Sequence, residues 1–474
     1  MNVVSDGGWP PADRSLDAIV IGAGCAGLSA ATALVEHGAK VLVVEARPGL
    51  GGRATAFTDP DTGERVDNGQ HLLMGCYYDT FAFLRRIGAS DRVRWQTGLK
   101  VPMIDRNGRH STLSLPALPP PLNFLAGVLA WDALSWSERF SVLKIGAALG
   151  TAEAGRHNDI RSNTHSNEPS GSLSVRAWLE KNGQAARLCE LFWEPLALAA
   201  LNQSIDQAEA IHFIRVLERV FGPDPAAAAL VFPAVPLDEL YAEPARAWLE
   251  QRGSEVRVNA PAKVIIDGGR VQGVRVRDET IGAPVVIPSV PWHAFGALFD
   301  APPVELREAI GNASRLASLP IVTVNLWFDR AVMQDSLLGL PGRNFQWVFD
   351  RRALIGGDAS HLSLTSSGAE AIVAMANDRL AAMALDEVRE ALPAARSATL
   401  RKSLVVREKR ATFSLAADAP PRPRAQTAIE GLILAGDWID TGLPATIESA
   451  VLSGHAAARI ATETQRHGAT IVRT

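Results

Sequence analysis

The chain has 474 residues, 47% hydrophobic and 21% charged, which is enough apolar material for two domains with cores of their own. A formal net charge of −4 gives no basic surface, so we expect no nucleic-acid partner. The three cysteines, Cys25, Cys76 and Cys189, have no paired spacing. This pattern predicts neither a disulfide framework nor a metal site and fits the reducing cytoplasm.

Two polar stretches predict disorder. Residues 1–15 are polar, contain Gly and Pro and lack the apolar core of a secretory signal, so they predict a disordered lead-in. Residues 158–171 are also poor in apolar side chains and predict a disordered loop. No stretch is long and charge-free enough to predict a membrane span.

The first predicted unit is a strand, a glycine-rich turn and a helix. The apolar run at residues 18–21 predicts a buried parallel strand, and Gly22 allows the tight turn after it. Gly24 lets the backbone approach a pyrophosphate, and Gly27 lets the helix pack closely on the strand. Glu45 ends the next apolar run, where a carboxylate accepts hydrogen bonds from ribose hydroxyls. The unit predicts a site for an ADP moiety at the helix N-terminus.

A second glycine-rich turn, residues 47–53, follows almost directly. It ends in Arg53, whose guanidinium is predicted to reach the same pyrophosphate. The Gly-Gly-Arg sequence here resembles that of the amine oxidase and phytoene desaturase superfamily of flavoproteins. The resemblance implies that the cofactor is FAD.

The middle of the chain contains two further features. Residues 263–276 read as two strands around a Gly-Gly turn and predict a hairpin, in which Val264 resembles the position whose backbone contacts adenine in this superfamily. Residues 122–136 predict a helix that is apolar on nearly every face. Two interpretations stay open for it: a buried core helix, or a helix that dips into one membrane leaflet with Leu129 and Trp131 facing lipid.

The C-terminal end predicts the redox half of the site. Residues 431–436 predict a buried strand, and Asp437 follows it, placed to bind the ribityl or phosphate region. After Pro444, a helix is predicted to begin near Thr446. Its free N–H groups would face the pyrimidine edge of the flavin and stabilise the anionic reduced ring.

These elements predict an α/β fold with two domains. A Rossmann-type FAD-binding domain, discontinuous in sequence, is predicted for residues 16–90, 232–292 and 425–474. A substrate-binding domain of mixed sheet and helices is predicted for residues 91–231 and 293–424. The predicted FAD contacts are Gly22, Gly24, Ala26, Gly27, Glu45, Ala46, Arg47, Gly52, Arg53, Gly69, Gln70, Val264, Gly436, Asp437, Thr446, Ile447 and Glu448.

Three segments resemble a narrower family, the hydroxysqualene dehydroxylases of bacterial hopanoid operons. They are residues 67–75, beginning Asp-Asn-Gly-Gln-His, residues 192–202, containing Trp-Glu-Pro-Leu, and residues 436–450. The resemblance implies that reduced FAD replaces the allylic hydroxyl of hydroxysqualene by hydride to give squalene. It also implies an apolar isoprenoid substrate, squalene-pathway enzymes as partners and a peripheral position on the cytoplasmic face of the cell membrane. The electron donor that reduces the flavin stays open.

Such a reaction needs a proton donor near the hydroxyl. His71, Asp67 and Glu194 are the candidates, because each is a titratable group close to an apolar run. Each also has a structural interpretation: a histidine hydrogen-bonded in the core, a turn residue bonded to its own backbone, and a carboxylate at a helix end.

Three other functions are compatible with parts of this pattern. A carotenoid or phytoene desaturase would share the fold, the flavin and an apolar tunnel but run oxidatively. An amine oxidase is less favoured, because that group usually carries a Tyr where this chain has Thr446. A prenyl-binding escort protein without flavin is disfavoured by the presence of Glu45, Arg53 and Asp437 together.

Overall fold

A computed structural model describes residues 16–145, 173–356 and 360–471, with side chains up to residue 465. The predicted lead-in, residues 1–15, and the predicted polar loop, residues 158–171, lie outside the described residues.

A four-stranded parallel sheet forms the centre of the nucleotide-binding part. Its strands are, in spatial order, Glu255–Arg257, Val41–Val44, Ala18–Ile21 and Val286–Pro288. Every residue of the two strands from the N-terminal segment is buried, which explains why they are apolar runs without alternation. The α/β fold predicted from the sequence is confirmed by this parallel sheet and by its helices.

Two helices from opposite ends of the chain pack together beside this sheet. They are the nucleotide helix, Cys25–Glu36, and the C-terminal helix, Ile447–Ile471. Glycine allows their close approach, because a Cβ added at Gly454 would lie 2.1 Å from the Ser29 hydroxyl and 2.3 Å from the Ala26 carbonyl oxygen. A Cβ at Gly27 would lie 1.9 Å from the Gly22 carbonyl oxygen, as expected for a residue that packs the helix onto the first strand.

A seven-stranded sheet is the centre of the second part of the molecule. Its strands are, in spatial order, Leu400–Phe413, Ser318–Phe328, Ser360–Ser366, Trp347–Asp350, Leu337–Gly339, Lys100–Ile104 and His110–Ser114. Side chains alternate along Ser318–Phe328, so one face is apolar and belongs to a core that includes the helix Asn377–Ala391. The other face is polar, with Thr323 and Asn325, and borders the nucleotide-binding part.

Three small sheets connect these two parts. The predicted hairpin is present as Ala262–Asp267 with Arg270–Val276, extended by Glu279–Gly282. Ala56–Thr58 pairs with Arg65–Asp67, and Leu230–Pro233 pairs with both Leu73–Met74 and Val93–Trp95.

The remaining described helices lie mainly between the small sheets and around the seven-stranded sheet. They are Tyr78–Arg86, Ser90–Arg92, Leu122–Ala130, Trp136–Ser141, Val175–Lys181, Ala186–Leu188, Cys189–Trp193, Glu194–Leu201, Ala210–Val220, Asp238–Ala242, Glu243–Glu250, Trp292–Phe295, Gly296–Leu298, Val304–Leu306, Arg307–Arg315, Arg351–Ile355 and Pro393–Ser397. Within the described ranges, no helix combines the length and the apolar character that a bilayer crossing requires.

The prediction of one helix over residues 122–136 is wrong in its extent. The helix ends at Ala130, and Trp131 has an extended backbone and a side chain that is only 1% exposed. A second helix begins after Ser135, whose backbone N–H donates to the Glu138 carboxylate at 2.7 Å. This capping interaction starts a new helix and therefore breaks the predicted one. Trp131 belongs to the core and cannot face lipid.

We expect the substitution Gly454→Ala to destabilise the protein by about 1–3 kcal/mol, because the new methyl group overlaps the nucleotide helix. Gly311→Ala is the matched control, since Gly311 is also helical and its Cβ would meet nothing within 4 Å. The control should stabilise the protein by up to about 1 kcal/mol through helix propensity alone. Thermal unfolding of the two FAD-loaded variants and the wild-type protein measures both changes in stability. A Gly454→Ala variant that melts no lower than Gly311→Ala would contradict the close helix contact.

Candidate active site

One cavity of about 620 Å³ brings the two ends of the chain together. It begins at the carboxyl ends of two parallel strands, at Ile21 and Val44, and reaches Trp347 and Thr365 on the seven-stranded sheet. Clefts outside the carboxyl ends of parallel strands are where open α/β sheets bind ligands. The predicted FAD contacts that line this cavity are Gly22, Gly24, Ala26, Glu45, Ala46, Arg47, Gly52, Arg53, Gly69, Gln70, Gly436, Asp437, Thr446, Ile447 and Glu448.

The nucleotide end of the cavity has the features of an anion and ribose site. Gly24, Cys25 and Ala26 line it at the start of the nucleotide helix, and no side chain caps that helix. Its first N–H groups are therefore left for phosphate oxygens. The Glu45 carboxylate accepts one hydrogen bond from the Ala23 N–H at 2.8 Å and another from the Arg47 N–H at 2.9 Å. These bonds fix the carboxylate at the cavity wall.

Arg53 and Asp437 form an ion pair with 2.5 Å between Nη2 and Oδ1, on the wall of this cavity. The Arg53 guanidinium also donates to the Ala411 carbonyl at 2.7 Å and lies over the Trp292 ring at 5.2 Å from its centroid. The predicted pyrophosphate-binding group and the predicted ribityl-binding group are thus neighbours, although they come from opposite ends of the chain.

The start of the C-terminal helix lines the cavity as predicted, with Thr446, Ile447 and Glu448. The Glu448 carboxylate accepts hydrogen bonds from the Thr80 N–H at 2.9 Å and the Thr80 hydroxyl at 2.8 Å. It also pairs with Arg219 at 3.0 Å. Burial raises the pKa of Glu448. This carboxylate ties the C-terminal helix to the helices Tyr78–Arg86 and Ala210–Val220 and so holds the helix N-terminus at the cavity.

Of the three proton-donor candidates, only His71 lines the cavity. Asp67 is buried in an ion pair with Arg351 and accepts a hydrogen bond from the Leu237 N–H at 3.0 Å. Glu194 accepts from the Ile205 N–H at 3.0 Å, and burial raises its pKa. The structure therefore does not bring Asp67 or Glu194 to the cavity beside His71. Glu194 begins the helix Glu194–Leu201, as its structural interpretation has it. Asp67 is not a turn residue bonded to its own backbone, because it ends the strand Arg65–Asp67 and its partners are the distant Arg351 and Leu237.

His71 and Gln70 are adjacent on the wall and are both partly accessible from the cavity. The His71 Nδ1 lies 2.7 Å from the Gly69 carbonyl oxygen, and the Gln70 Oε1 accepts from Arg351 at 2.9 Å. Burial lowers the pKa of His71, which outweighs the opposing effects of the Gly69 bond and of Asp67.

Two of the predicted FAD contacts, Gly27 and Val264, do not line the cavity. Gly27 packs the nucleotide helix onto the first strand instead. Near Val264 the lining residues are Ala260, Pro261 and Ala262. The difference has a simple cause. Val264 lies inside the hairpin, opposite Val274, whereas the chain meets the cavity just before and at the first hairpin residue. The contact of Val264 with adenine therefore stays a prediction, and Ala262 is the hairpin residue that reaches the cavity.

One feature of the cavity was not predicted from the sequence, a histidine paired with an arginine. His293 lines the cavity, and its Nδ1 lies 3.1 Å from Arg410 Nη1. Burial, together with Arg410, Arg53 and Arg47, lowers the pKa of His293, so positive charge is concentrated on this side of the cavity. The two partners are 117 residues apart in sequence, and no local pattern signals the pair.

The cavity continues beyond the predicted FAD contacts as an apolar arm. We define the apolar arm by the residues Leu72, Met74, Leu196, Leu198, Ala199, Ala200, Val216 and Val220. Most of them come from the helices Glu194–Leu201 and Ala210–Val220. An apolar compartment that opens directly from a cofactor site can hold a long hydrocarbon chain in the absence of water.

The residues fit FAD at both ends of the cavity: uncapped helix N–H groups and Glu45 for the ADP half, and Asp437 with a second helix N-terminus for the flavin half. A family model described as flavin containing amine oxidoreductase matches residues 25–462. The chain belongs to this family. The predictions of an FAD fold and of FAD as the cofactor are confirmed, and the protein is of a flavin-dependent oxidoreductase family.

Relatives with two different activities match the chain at nearly the same identity. The chain is 27% identical to a hydroxysqualene dehydroxylase of Zymomonas mobilis, over 93% of this chain and 98% of that protein. It is 26% identical to a 15-cis-phytoene desaturase of Synechococcus elongatus, over 92% of this chain and 93% of that protein. An oxidoreductase structure from Methanosarcina mazei has a TM-score of 0.71 and 18% identity over 94% of this chain and all of that one, which shows the shared fold.

We expect Glu45→Ala to lower FAD affinity about 30- to 100-fold, because a carboxylate that accepts ribose hydroxyls is lost. The ratio of flavin to protein absorbance after dialysis measures this loss. Glu36→Ala is the control, since Glu36 makes an exposed ion pair with Arg86 and is expected to change FAD content little. Full FAD occupancy in Glu45→Ala would refute the assignment of this carboxylate to the cofactor.

Proposed function

We propose that this protein reduces hydroxysqualene to squalene, with hydride replacing the allylic hydroxyl and water as the second product. One observation carries the proposal. Residues of the 67–75 and 192–202 segments, which carry the resemblance to hydroxysqualene dehydroxylases, line the same cavity as the FAD motifs. The match with the Zymomonas protein over nearly its whole length supports it.

The chemistry suits the cavity. Reduced FAD supplies the hydride. An allylic alcohol loses its hydroxyl readily once the oxygen is protonated, and the allylic cation that remains must be kept from water. The apolar arm, with Leu196, Leu198 and Val216 on its wall, offers few hydrogen-bond partners to a water molecule.

We assign the proton transfer to His71 Nε2. His71 is the candidate acid that lines the cavity, and its other nitrogen is held by Gly69. Because burial lowers the pKa of His71, the resting imidazole is neutral, with its proton on Nδ1 against the Gly69 carbonyl. Nε2 accepts in this state and must be protonated before it can give a proton to the hydroxyl. One proton is consumed for each hydroxyl that leaves as water.

We expect photoreduced, FAD-loaded protein mixed anaerobically with hydroxysqualene in detergent to regain the absorbance of oxidised flavin. The extracted product should have the mass of squalene, in an amount equal to the flavin reoxidised. Squalene itself is the control ligand, because it has no hydroxyl to lose and should leave the flavin reduced. No reoxidation with hydroxysqualene would refute the proposal.

A phytoene-type desaturase is the second candidate. Phytoene desaturases match the chain at 25–26% identity, close to the 27% of the Zymomonas dehydroxylase, and the apolar arm would hold a hydrocarbon as well. The direction of electron flow separates the two activities. A desaturase in its oxidised form should lose its flavin absorbance when it is mixed with phytoene-like polyenes. The same protein in its reduced form should not react with hydroxysqualene.

We also propose that the protein works at the cytoplasmic face of the cell membrane, where a triterpene substrate is dissolved. The support is an apolar patch of exposed side chains, 43–65% accessible: Leu118, Leu122, Trp136, Phe140 and Leu143. Trp136 and Phe140 lie one turn apart on the helix Trp136–Ser141, and Leu143 and the exposed Lys144 follow after its end. Apolar side chains beside a basic residue suit a surface of anionic lipid.

We expect the double substitution Trp136→Asp and Phe140→Asp to reduce co-sedimentation with anionic liposomes at least about tenfold, because two exposed aromatic anchors are lost and negative charge is added. Val304→Asp is the matched control, since Val304 is 69% exposed but lies outside the apolar patch. Equal liposome binding by the double variant and the control would exclude the patch as the membrane contact.

A further inference from the structure

Gln70 presents a hydrogen-bond donor to the cavity. Its Oε1 accepts a hydrogen bond from Arg351 Nη1 at 2.9 Å. A guanidinium group has donors only, so the atom that faces Arg351 must be the amide oxygen. The amide nitrogen, Nε2, is then on the side away from Arg351. Its hydrogen bond to the His71 carbonyl oxygen is long, at 3.4 Å. An N–H of Gln70 is therefore available on the cavity wall.

This orientation of Gln70 is fixed by a buried ion pair. Arg351 pairs with Asp67, both side chains are only 3% exposed, and Arg351 Nη2 donates to the Arg65 carbonyl at 3.0 Å. Turning the Gln70 amide over would place its NH₂ group against a guanidinium and leave a donor facing a donor. Arg351 and Asp67 thus act as positioning residues for Gln70.

His71 presents an acceptor beside that donor. The Gly69 carbonyl oxygen, 2.7 Å from Nδ1, can only accept, so Nδ1 carries the proton of the neutral ring. Burial keeps the ring neutral by lowering its pKa, against the opposing charge of Asp67. The Nε2 lone pair is then free to accept. The ring lies deep inside the protein, yet part of its surface is accessible because the cavity borders it.

We propose that Gln70 Nε2 and His71 Nε2 form a hydroxyl-binding subsite, so that the ligand of the apolar arm is an isoprenoid alcohol and not a hydrocarbon. A hydroxyl is the group that both accepts and donates, and it satisfies both side chains at once. A hydrocarbon of the same length leaves the amide N–H and the imidazole lone pair without partners, and sites built this way reject the analogue that lacks the hydroxyl. The identity of the alcohol as hydroxysqualene rests on the proposed function.

Equilibrium binding to oxidised, FAD-loaded protein tests the subsite without turnover. The probes are hydroxysqualene and squalene in one detergent, and the readout is the shift that each causes in the flavin absorption spectrum. We expect wild-type protein to bind hydroxysqualene at least about tenfold more tightly than squalene, as two added hydrogen bonds imply. No preference in the wild-type protein would overturn the proposal.

Two variants remove one group each. Gln70→Glu keeps the size of the side chain and its bond to Arg351 but has no N–H, so the preference for the alcohol should fall to about one third or less. His71→Phe keeps an aromatic ring but has no acceptor nitrogen, so the preference for the alcohol should fall to a similar extent. An unchanged preference in both variants would overturn the subsite, and so would loss of FAD from both, because these residues would then hold the flavin and not the substrate.

The failure of this subsite and the failure of the proposed reaction can be told apart. A preference for the alcohol that depends on Gln70 and His71, without squalene formation in the anaerobic experiment, would keep the subsite and refute the dehydroxylation. Squalene formation by a protein that binds the alcohol no more tightly than squalene would keep the dehydroxylation and refute the subsite.

Discussion

The Arg53–Asp437 ion pair is the contact on which the architecture of the site depends. The two residues are 384 positions apart. Arg53 ends the second glycine-rich turn, and Asp437 follows residues 431–436, where the predicted strand is wrong because Leu432 and Ile433 form only isolated bridges. The pairing of Arg53 with Asp437 places the second glycine-rich turn and the C-terminal helix on one cavity. Because Asp437 is 8% exposed and Arg53 26%, the pair is partly shielded from solvent, and the loss of either charge would leave the other on the cavity wall without its partner.

A second set of buried polar contacts joins the seven-stranded sheet to residues 64–71. His361 lies between Glu64 at 3.2 Å and Asn325 at 2.9 Å, and Arg351 pairs with Asp67. These contacts lie on the polar face of the sheet, whereas its opposite face packs in an apolar core. Apolar packing tolerates small displacements, but an ion pair and a histidine bonded on both sides fix one register. The position of Gln70 and His71 on the cavity wall follows from that register.

The sequence predicted the parts of the site whose function imposes a spacing on one short segment. The glycine-rich turns, Glu45 and the start of the C-terminal helix are of this kind, and all reach the cavity. Pairs set by long-range strand register could not be predicted. His293 with Arg410, and Arg351 with Asp67, have no local signature. The sequence makes Asp67 one candidate proton donor, because an acid beside an apolar strand has the same local pattern whether or not an arginine 284 residues away pairs with it.

Substrate choice cannot come from the apolar arm alone. Burial of a methylene group from water is worth about 0.8 kcal/mol, but a triterpene leaves lipid and not water, so its transfer into the apolar arm changes the free energy little. An alcohol and a hydrocarbon of the same chain length are nearly equal ligands for such a wall. The difference between them must arise at the few polar groups beside the flavin. Gln70 and His71 are adjacent on the cavity wall, with one donor and one acceptor, and under the proposed function they are the groups that would distinguish a reductive dehydroxylation from a desaturation.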